Sequence, residues 1–300
     1  MRVGPRASAR IGGASEEEVL ISVLELGTVE YSRGLGLQQR LVGLRKEGQI
    51  GDVLVLLEHP SVITRGRNAQ AKNILASPES LLERGVEVFE CDRGGDVTFH
   101  GPGQLVGYPI FDLRGLRSSG GKRQTMGAIE YVRALEEVLI RTCADFGIAT
   151  GRICGLTGVW TTPDQDGALG SGPKPEEAKI AALGVHISRA VTSHGFALNV
   201  DPDLSYFDLI VPCGISTKPV TSMAKELGRK VSFEQVAQSV SRNFGFVFQA
   251  QMLWLESLDA LTGEPSDVPL QVPEQLRQWH QERGNQKGRE KEKEEDTFWA

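Results

Sequence analysis

DRGGDVTFHGPGQLVGYPIFD, residues 92–112, gathers Gly94, Gly95, Gly101, Gly103 and Gly107 around His100 and Pro102. Glycine loses more backbone freedom on folding than any other residue, so such density marks tight turns or close approach to a ligand. Val97-Thr98-Phe99 and Leu105-Val106-Gly107-Tyr108 predict two short strands joined across the turn His100-Gly101-Pro102-Gly103. Arg93, His100 and Gln104 are then aimed at a ligand. The plainer alternative is a glycine-rich hairpin with incidental polar residues, and spacing alone leaves both open.

Upstream, residues 86–91 read as the strand that delivers this loop. Residues 77–84 read as a short helix with Ser77 as cap and Glu79 in its first turn. Val53-Leu54-Val55-Leu56-Leu57 is a continuous apolar run, the pattern of a strand buried on both faces. It leaves at Glu58-His59-Pro60, where proline forces an extended exit. Residues 31–45 carry Leu35, Leu37, Leu41, Val42 and Leu44 in a helical stripe, and residues 19–26 predict a first strand.

Downstream, SSGGK at 118–122 reads as a linker. Residues 125–146 predict the longest helix, with Ile129, Val132, Leu135, Leu139, Thr142 and Phe146 on one face and Gly147 as its stop. Gly158-Val159-Trp160 opens a strand. Residues 161–178, rich in Gly and Pro, read as an exposed loop. Residues 179–188 and 193–200 form a hairpin pattern with a turn at 189–192. An irregular run then leads to Val211-Pro212-Cys213-Gly214-Ile215. Ser232 caps a helix bearing Phe233, Val236, Val240 and Phe244 on one face, with Glu234 in its first turn. Strands and helices mix without strict alternation, so the expected class is α+β with a mixed sheet.

The chain has 300 residues, 40% apolar and 24% charged, enough for a true core. The expected organisation is a flexible lead at 1–17, one main folded domain at 18–262, and an extension at 263–300. The extension contains Pro265, Pro269 and Pro273, a short helix near 274–283, and the charged, disordered ending GREKEKEEDTFWA. A net charge of −6 gives no overall field for nucleic acid, and no nucleic-acid motif occurs. No apolar run reaches the roughly 20 residues that span a bilayer. The start carries Arg2, Arg6 and Arg10 but no apolar signal core. A cytoplasmic location is expected, with a mitochondrial transit peptide as the alternative.

Four cysteines, Cys91, Cys143, Cys154 and Cys213, form no CxxC pair and no cluster with histidine. This spacing argues for a reducing compartment and against a metal site. The chain has no G-x-S-x-G elbow, no Walker A motif and no G-x-G-x-x-G after a strand, so α/β-hydrolase and common nucleotide folds are disfavoured. Cys213 sits in a Pro-Cys-Gly turn. A free thiol near pKa 8.5 needs a basic or positive neighbour to act as a nucleophile. Lys179 opens the apolar strand Ile180-Ala181-Ala182-Leu183-Gly184-Val185. It is either a solvated strand-end charge or an amine that activates a thiol. His59, His100, His186 and His194 each fit a structural role as readily as a chemical one.

At these residues the chain resembles the lipoyl(octanoyl) transferase family of the biotin/lipoate protein ligase superfamily. The family signature is R-G-G-x-x-T-aromatic-H-x-x-G-Q-x-x-x-Y, met by Arg93, Gly94, Gly95, Thr98, Phe99, His100, Gly103, Gln104 and Tyr108. Glu58-His59-Pro60, Thr157-Gly158-Val159-Trp160, residues 179–184, residues 194–199 and Pro212-Cys213-Gly214-Ile215 follow in family order, so the resemblance spans about residues 20–250. It implies the biotin/lipoate protein ligase catalytic-domain fold, a mixed β-sheet flanked by helices, with Cys213 as acyl-thioester nucleophile and Lys179 as its activator. It implies acyl binding by Arg93, Gly94, Gly95, Asp96, Val97, Thr98, Phe99 and His100, by Ala182, Leu183 and Gly184, and by Gly195, Phe196 and Ala197. His194 and Gln104 take supporting places. Small residues among these are expected to leave a tunnel for the acyl chain.

The implied reaction needs neither ATP nor metal. Octanoyl arrives on the phosphopantetheine of acyl carrier protein and goes to lipoyl domains of 2-oxoacid dehydrogenase acyltransferase subunits and of the glycine-cleavage H protein. Amidotransfer between lipoyl-bearing proteins is the alternative, and a non-catalytic lipoyl-domain binder is a third reading. The loop at 161–178 is longer than the family pattern, and the extension from 263 has no counterpart in it.

Overall fold

The computed structural model describes residues 19–116, 125–162 and 176–262. The expected lead at 1–17, the linker, most of the 161–178 loop and the extension from 263 lie outside the described residues.

Val19–Thr28 (β1) is followed by the helix Tyr31–Lys46 (α1) and by Asp52–Glu58 (β2), which pairs parallel to β1. Val62–Arg65 (β3), the short helix Pro78–Glu83 (α2), Glu87–Glu90 (β4) and Val97–His100 (β5) come next. Gln104–Ile110 (β6), Ala128–Asp145 (α3), Thr150–Ile153 (β7) and Leu156–Thr161 (β8) lead into Lys179–Ser188 (β9) and Val191–Asn199 (β10). Met223–Leu227 (α4), Phe233–Phe248 (α5), Ala250–Trp254 (β11) and Asp259–Thr262 (α6) end the described chain. Eight strands form one mixed sheet in the order β11-β1-β2-β6-β10-β9-β8-β7, and β4-β3-β5 form a second, small sheet.

The apolar run of β2 is buried on both faces because helices cover both. Side chains alternate along a strand. Leu54 and Leu56 therefore join the core shared with α3 and α5, while Val53, Val55 and Leu57 join the one shared with α1. Each fully buried aliphatic of this kind contributes roughly 1.5–3 kcal/mol. A third cluster lies under the small sheet, where Val97 and Phe99 pack on Phe207, Leu209 and Ile210. Ser77 and Ser232 cap α2 and α5 by accepting from the amides of Ser80 and Gln235. The β9–β10 hairpin closes on Arg189 and Ala190, both left-handed (φ 51° and 65°), as a two-residue turn needs.

Three expectations change. The strands around His100-Gly101-Pro102-Gly103 are present but do not pair with each other. Both edges of β6 are taken, by β2 and by β10, while β5 pairs with β3 in the small sheet. The turn is therefore a crossing between sheets. Gly103 makes it possible: φ is +83°, and an added Cβ would lie 2.3 Å from Asp201 O. Along α3 the buried residues are Tyr131, Leu135, Glu136, Val138, Leu139, Thr142 and Cys143, whereas Ile129 is 80% exposed. The helix is turned toward α5, where Asn243 reaches Thr142 and Asp145. β11, unread in the sequence, adds a parallel edge strand beside β1.

Candidate active site

A cavity of about 270 Å³ opens between the small sheet and the strands β6, β10 and β9 of the large one. That is near the lower end of the roughly 300–1,000 Å³ that small-molecule sites span. Its walls are Arg93, Gly95, Asp96, Thr98 and His100 on one side and Ala182–Gly184 and His194–Ala197 on the other. Tyr31, Val106 and Tyr108 add to the lining, and Gly155, Leu156, Thr157, Cys213 and Ile215 complete it. A narrow recess of about 10 Å³ adjoins it, bordered by Lys179, Gln104, Asn199, Pro212 and Val220 among others. Thr98, Ala182, Ala197 and Cys213 border both spaces.

Cys213 stands in the one-turn 3-10 segment Pro212–Gly214 with left-handed backbone angles, φ 55° and ψ 21°. Such angles are costly for any residue with a Cβ, so the surroundings hold them. The Val211 amide donates to Asn73 O at 2.7 Å, and the Asn73 side chain donates to Asp96 Oδ2 at 2.5 Å. Asp96 Oδ1 accepts from the amides of Val97 (2.8 Å) and Gln70 (3.0 Å). Asp96 thus braces the cysteine turn against the arginine-glycine loop.

Lys179 is 5% exposed, and its Nζ has no hydrogen-bond partner among the described residues. The amine lies 4.7 Å from the centroid of the Trp160 ring. Its backbone is tied to the segment that follows the cysteine turn: Lys179 N donates to Pro219 O at 2.8 Å, and Thr221 N donates to Lys179 O at 2.9 Å. Cys213 and Lys179 therefore border one recess.

The polar wall is internally satisfied. Arg93 donates through Nε and a terminal nitrogen to Thr64 Oγ1 (3.1 and 2.9 Å), to Thr64 O at 2.7 Å and to Gly94 O at 3.0 Å. Gln104 Nε2 donates to Phe99 O and Asn199 Oδ1, which leaves its Oε1 to accept from His100 Nδ1 at 2.7 Å. His100 is therefore the Nδ1–H tautomer. Burial, with nearby His59 and Arg93, pushes its pKa down to about 3. His59 donates from Nδ1 to Val29 O and accepts from the Tyr108 hydroxyl, each at 2.6 Å; burial holds it down to about 4. Both rings are neutral at neutral pH. His194 Nε2 pairs with Asp92 Oδ1 at 2.7 Å, and burial lowers its pKa too.

Among the expected site residues, Arg93, Gly95, Asp96, Thr98, His100, Ala182, Leu183, Gly184, His194, Gly195, Phe196, Ala197 and Cys213 line the cavity, while Lys179 and Gln104 border only the recess. Gly94, Val97 and Phe99 do not line it. Strand alternation turns Thr98 and His100 inward and Val97 and Phe99 into the small-sheet core. Gly184 and Gly195 serve chain packing as well as space: an added Cβ would lie 2.8 Å from Gly94 O and 2.3 Å from Gly107 O, respectively. Sequence reasoning missed Tyr31, Val106, Gly155 and Leu156 as lining residues. Tyr108, Thr157 and Ile215 were signalled by the motifs that contain them, whereas Tyr31 opens an ordinary helix and gave no signal. Among the described residues, no group of three or more His, Cys, Asp or Glu could hold a metal ion. No described helix is long and apolar enough to cross a membrane.

The chain is similar to known proteins in sequence and in fold. The family described as lipoyl protein ligase A/B catalytic domain matches residues 30–245. The octanoyltransferase of Koribacter versatilis is 60% identical over 263 residues, covering 88% of this chain and 98% of that protein. That of Acidobacterium capsulatum is 57% identical over 241 residues, covering 80% and 94%. Among solved structures, a bi-partite lipoate protein ligase from Thermoplasma acidophilum, described with its E2 lipoyl domain, matches with a TM-score of 0.55 at 14% identity. That match covers 84% of this chain and 99% of that one, a likeness of fold.

Proposed function

The chain belongs to the octanoyltransferases that carry the lipoyl protein ligase A/B catalytic domain, and we propose that it moves octanoyl from acyl carrier protein to a lipoyl-domain lysine through a thioester on Cys213. The observation that carries this reading is the placing of Cys213 where an acyl-sized cavity meets a recess bordered by buried Lys179, whose amine has no hydrogen-bond partner among the described residues.

The Cys213 thiolate attacks the carrier thioester, and the carrier's sulfur leaves with a proton from the Lys179 ammonium. One thioester replaces another, so no ATP is consumed. The acyl chain lies against Ala182, Leu183, Phe196 and Ala197, where burial gives about 0.8 kcal/mol per methylene. A lipoyl-domain lysine, in its amine form, then attacks the Cys213 thioester. The C–N bond forms, the C–S bond breaks, and the excess proton passes to the now neutral Lys179. The enzyme returns to its thiolate–ammonium state. Acceptors on this reading are lipoyl domains of 2-oxoacid dehydrogenase acyltransferase subunits and of the H protein.

Intact-mass measurement after mixing with octanoyl-acyl carrier protein tests the reading: the wild type gains one octanoyl group and Cys213→Ser gains none at a comparable rate. An adduct on the serine variant at the wild-type rate overturns the assignment. Octanoylated H protein offered as the donor separates this route from amidotransfer, which predicts that it labels Cys213 faster than the carrier protein does.

A further inference from the structure

One group beside the recess has no place in the steps above. Trp160 is 1% exposed, and its ring face lies 4.7 Å from Lys179 Nζ, within the distance at which an indole attracts an ammonium. Most buried lysines are held by a carboxylate. This one has no hydrogen-bond partner among the described residues, and the indole N–H has none either. The two form an arrangement of their own.

The seat is specifically shaped. Gly158, two residues before Trp160, has φ +139°, and an added Cβ would lie 3.3 Å from Lys179 Cε and 3.3 Å from the indole nitrogen. Any side chain there would press on both the lysine stem and the ring. Gly158 is fixed from below by Glu136, whose Oε1 accepts from the Gly158 amide at 3.2 Å. That fully buried carboxylate is in turn held by Arg133 and Arg152 at 2.6 and 3.0 Å.

We propose that Trp160 is a positioning residue of the reaction, its indole face holding the Lys179 ammonium at the recess beside Cys213 without a carboxylate to compete for the proton. A carboxylate partner would fix the amine by hydrogen bonds and draw it from the thiol. An aromatic face favours the charged form while leaving all three N–H groups free for sulfur or incoming amine. The inference rests on the reading of Lys179 as proton carrier.

The ionisable groups on the elements that border the recess, or one hydrogen bond beyond it, come from several places. They are Cys213 on the 3-10 turn, Asp96 before β5, His100 beyond Gln104, Glu136 of α3 beneath Gly158, Glu226 of α4 beyond Thr221, and the Lys218–Glu177 pair. Glu226, Glu136 and Glu177 are each engaged elsewhere, and His100 is neutral. The indole is the aromatic surface against the amine.

The test is the pH dependence of Cys213 acylation by octanoyl-acyl carrier protein, read by rapid quench and mass. The alkaline limb reports loss of the ammonium that protonates the leaving sulfur. In Trp160→Leu this limb moves to lower pH by about one unit, the scale expected for a desolvated cation on an aromatic face. Trp160→Phe keeps it close to the wild type. Tryptophan carrying increasing numbers of fluorine atoms, which keeps the ring shape and drains its face of negative potential, moves the limb down stepwise. Trp160→Phe grown on the same fluorinated tryptophan shows no such steps. The fluorinated series decides the matter if Trp160→Leu does not fold. A limb that stays in place while the rate falls, or that ignores fluorination, overturns the proposal. Lys179→Met acylating as fast as the wild type instead overturns the underlying role of Lys179.

Discussion

The backbone at Cys213 can be tested apart from its chemistry. Its φ of 55° and ψ of 21° place an L-residue in the left-handed region, and Gly214 follows at φ 70°. Holding a Cβ there costs about 1–2 kcal/mol. Cys213→Ala keeps the cost and Cys213→Gly removes it, but glycine gives back about 0.4–1 kcal/mol through a freer unfolded chain. The glycine variant should therefore be more stable than the alanine variant by roughly 0.5–1 kcal/mol, although it deletes more atoms. At a urea dependence of about 2–3 kcal/mol per molar, that is a midpoint shift of about 0.3 M. Equilibrium urea unfolding followed by tryptophan fluorescence measures it. Neither variant has the thiol, so reactivity cannot enter the comparison. Equal midpoints, or alanine above glycine, would refute the claim that Cys213 is held in strained backbone.

Lys179→Met should lower acyl-enzyme formation by about 10²–10⁴-fold while raising the urea midpoint, because a buried amine with no hydrogen-bond partner among the described residues costs about 1–3 kcal/mol; a variant that loses both activity and stability contradicts this. Gly195→Ala pushes a Cβ to 2.3 Å from Gly107 O and 2.6 Å from Pro109 Cδ, so β10 and β6 must part. A loss of about 1–3 kcal/mol is expected by thermal or urea unfolding. His59 and His100, held down to about 4 and about 3, are neutral in the native state. Their contribution is complete above pH 6.5 and is lost as pH falls toward 4, by about 2 kcal/mol each at pH 5. Imidazole NMR signals that titrate near pH 6.5 in the folded protein would speak against it.

The large elements were legible because their causes are local. The run Val53–Leu57, the capping serines at 77 and 232 and the hairpin, read with its turn at 189–192 and found closing on 189–190, all carry short-range patterns. The parting of β5 from β6 was not legible, since it depends on which distant strands have claimed each edge. The exposed position of Ile129 likewise follows from where α5 lies, not from the period of α3 itself. At the site, the motifs marked the right neighbourhood, but alternation along β5 removes Val97 and Phe99 from the cavity. The place of Lys179 against Trp160 depends on the bulged pairing of β8 with β9, which no spacing reveals.

Because the chain crosses from one sheet to the other at His100–Gln104, the molecule is bound like a book along that spine. The thiol hangs from one cover, through Asn73 and Asp96, and the amine is set in the other. On the proposed reading, in which the amine acts on the thiol, the alkylation rate of Cys213 is then set by how that spine holds the two covers in register, Gly103 included.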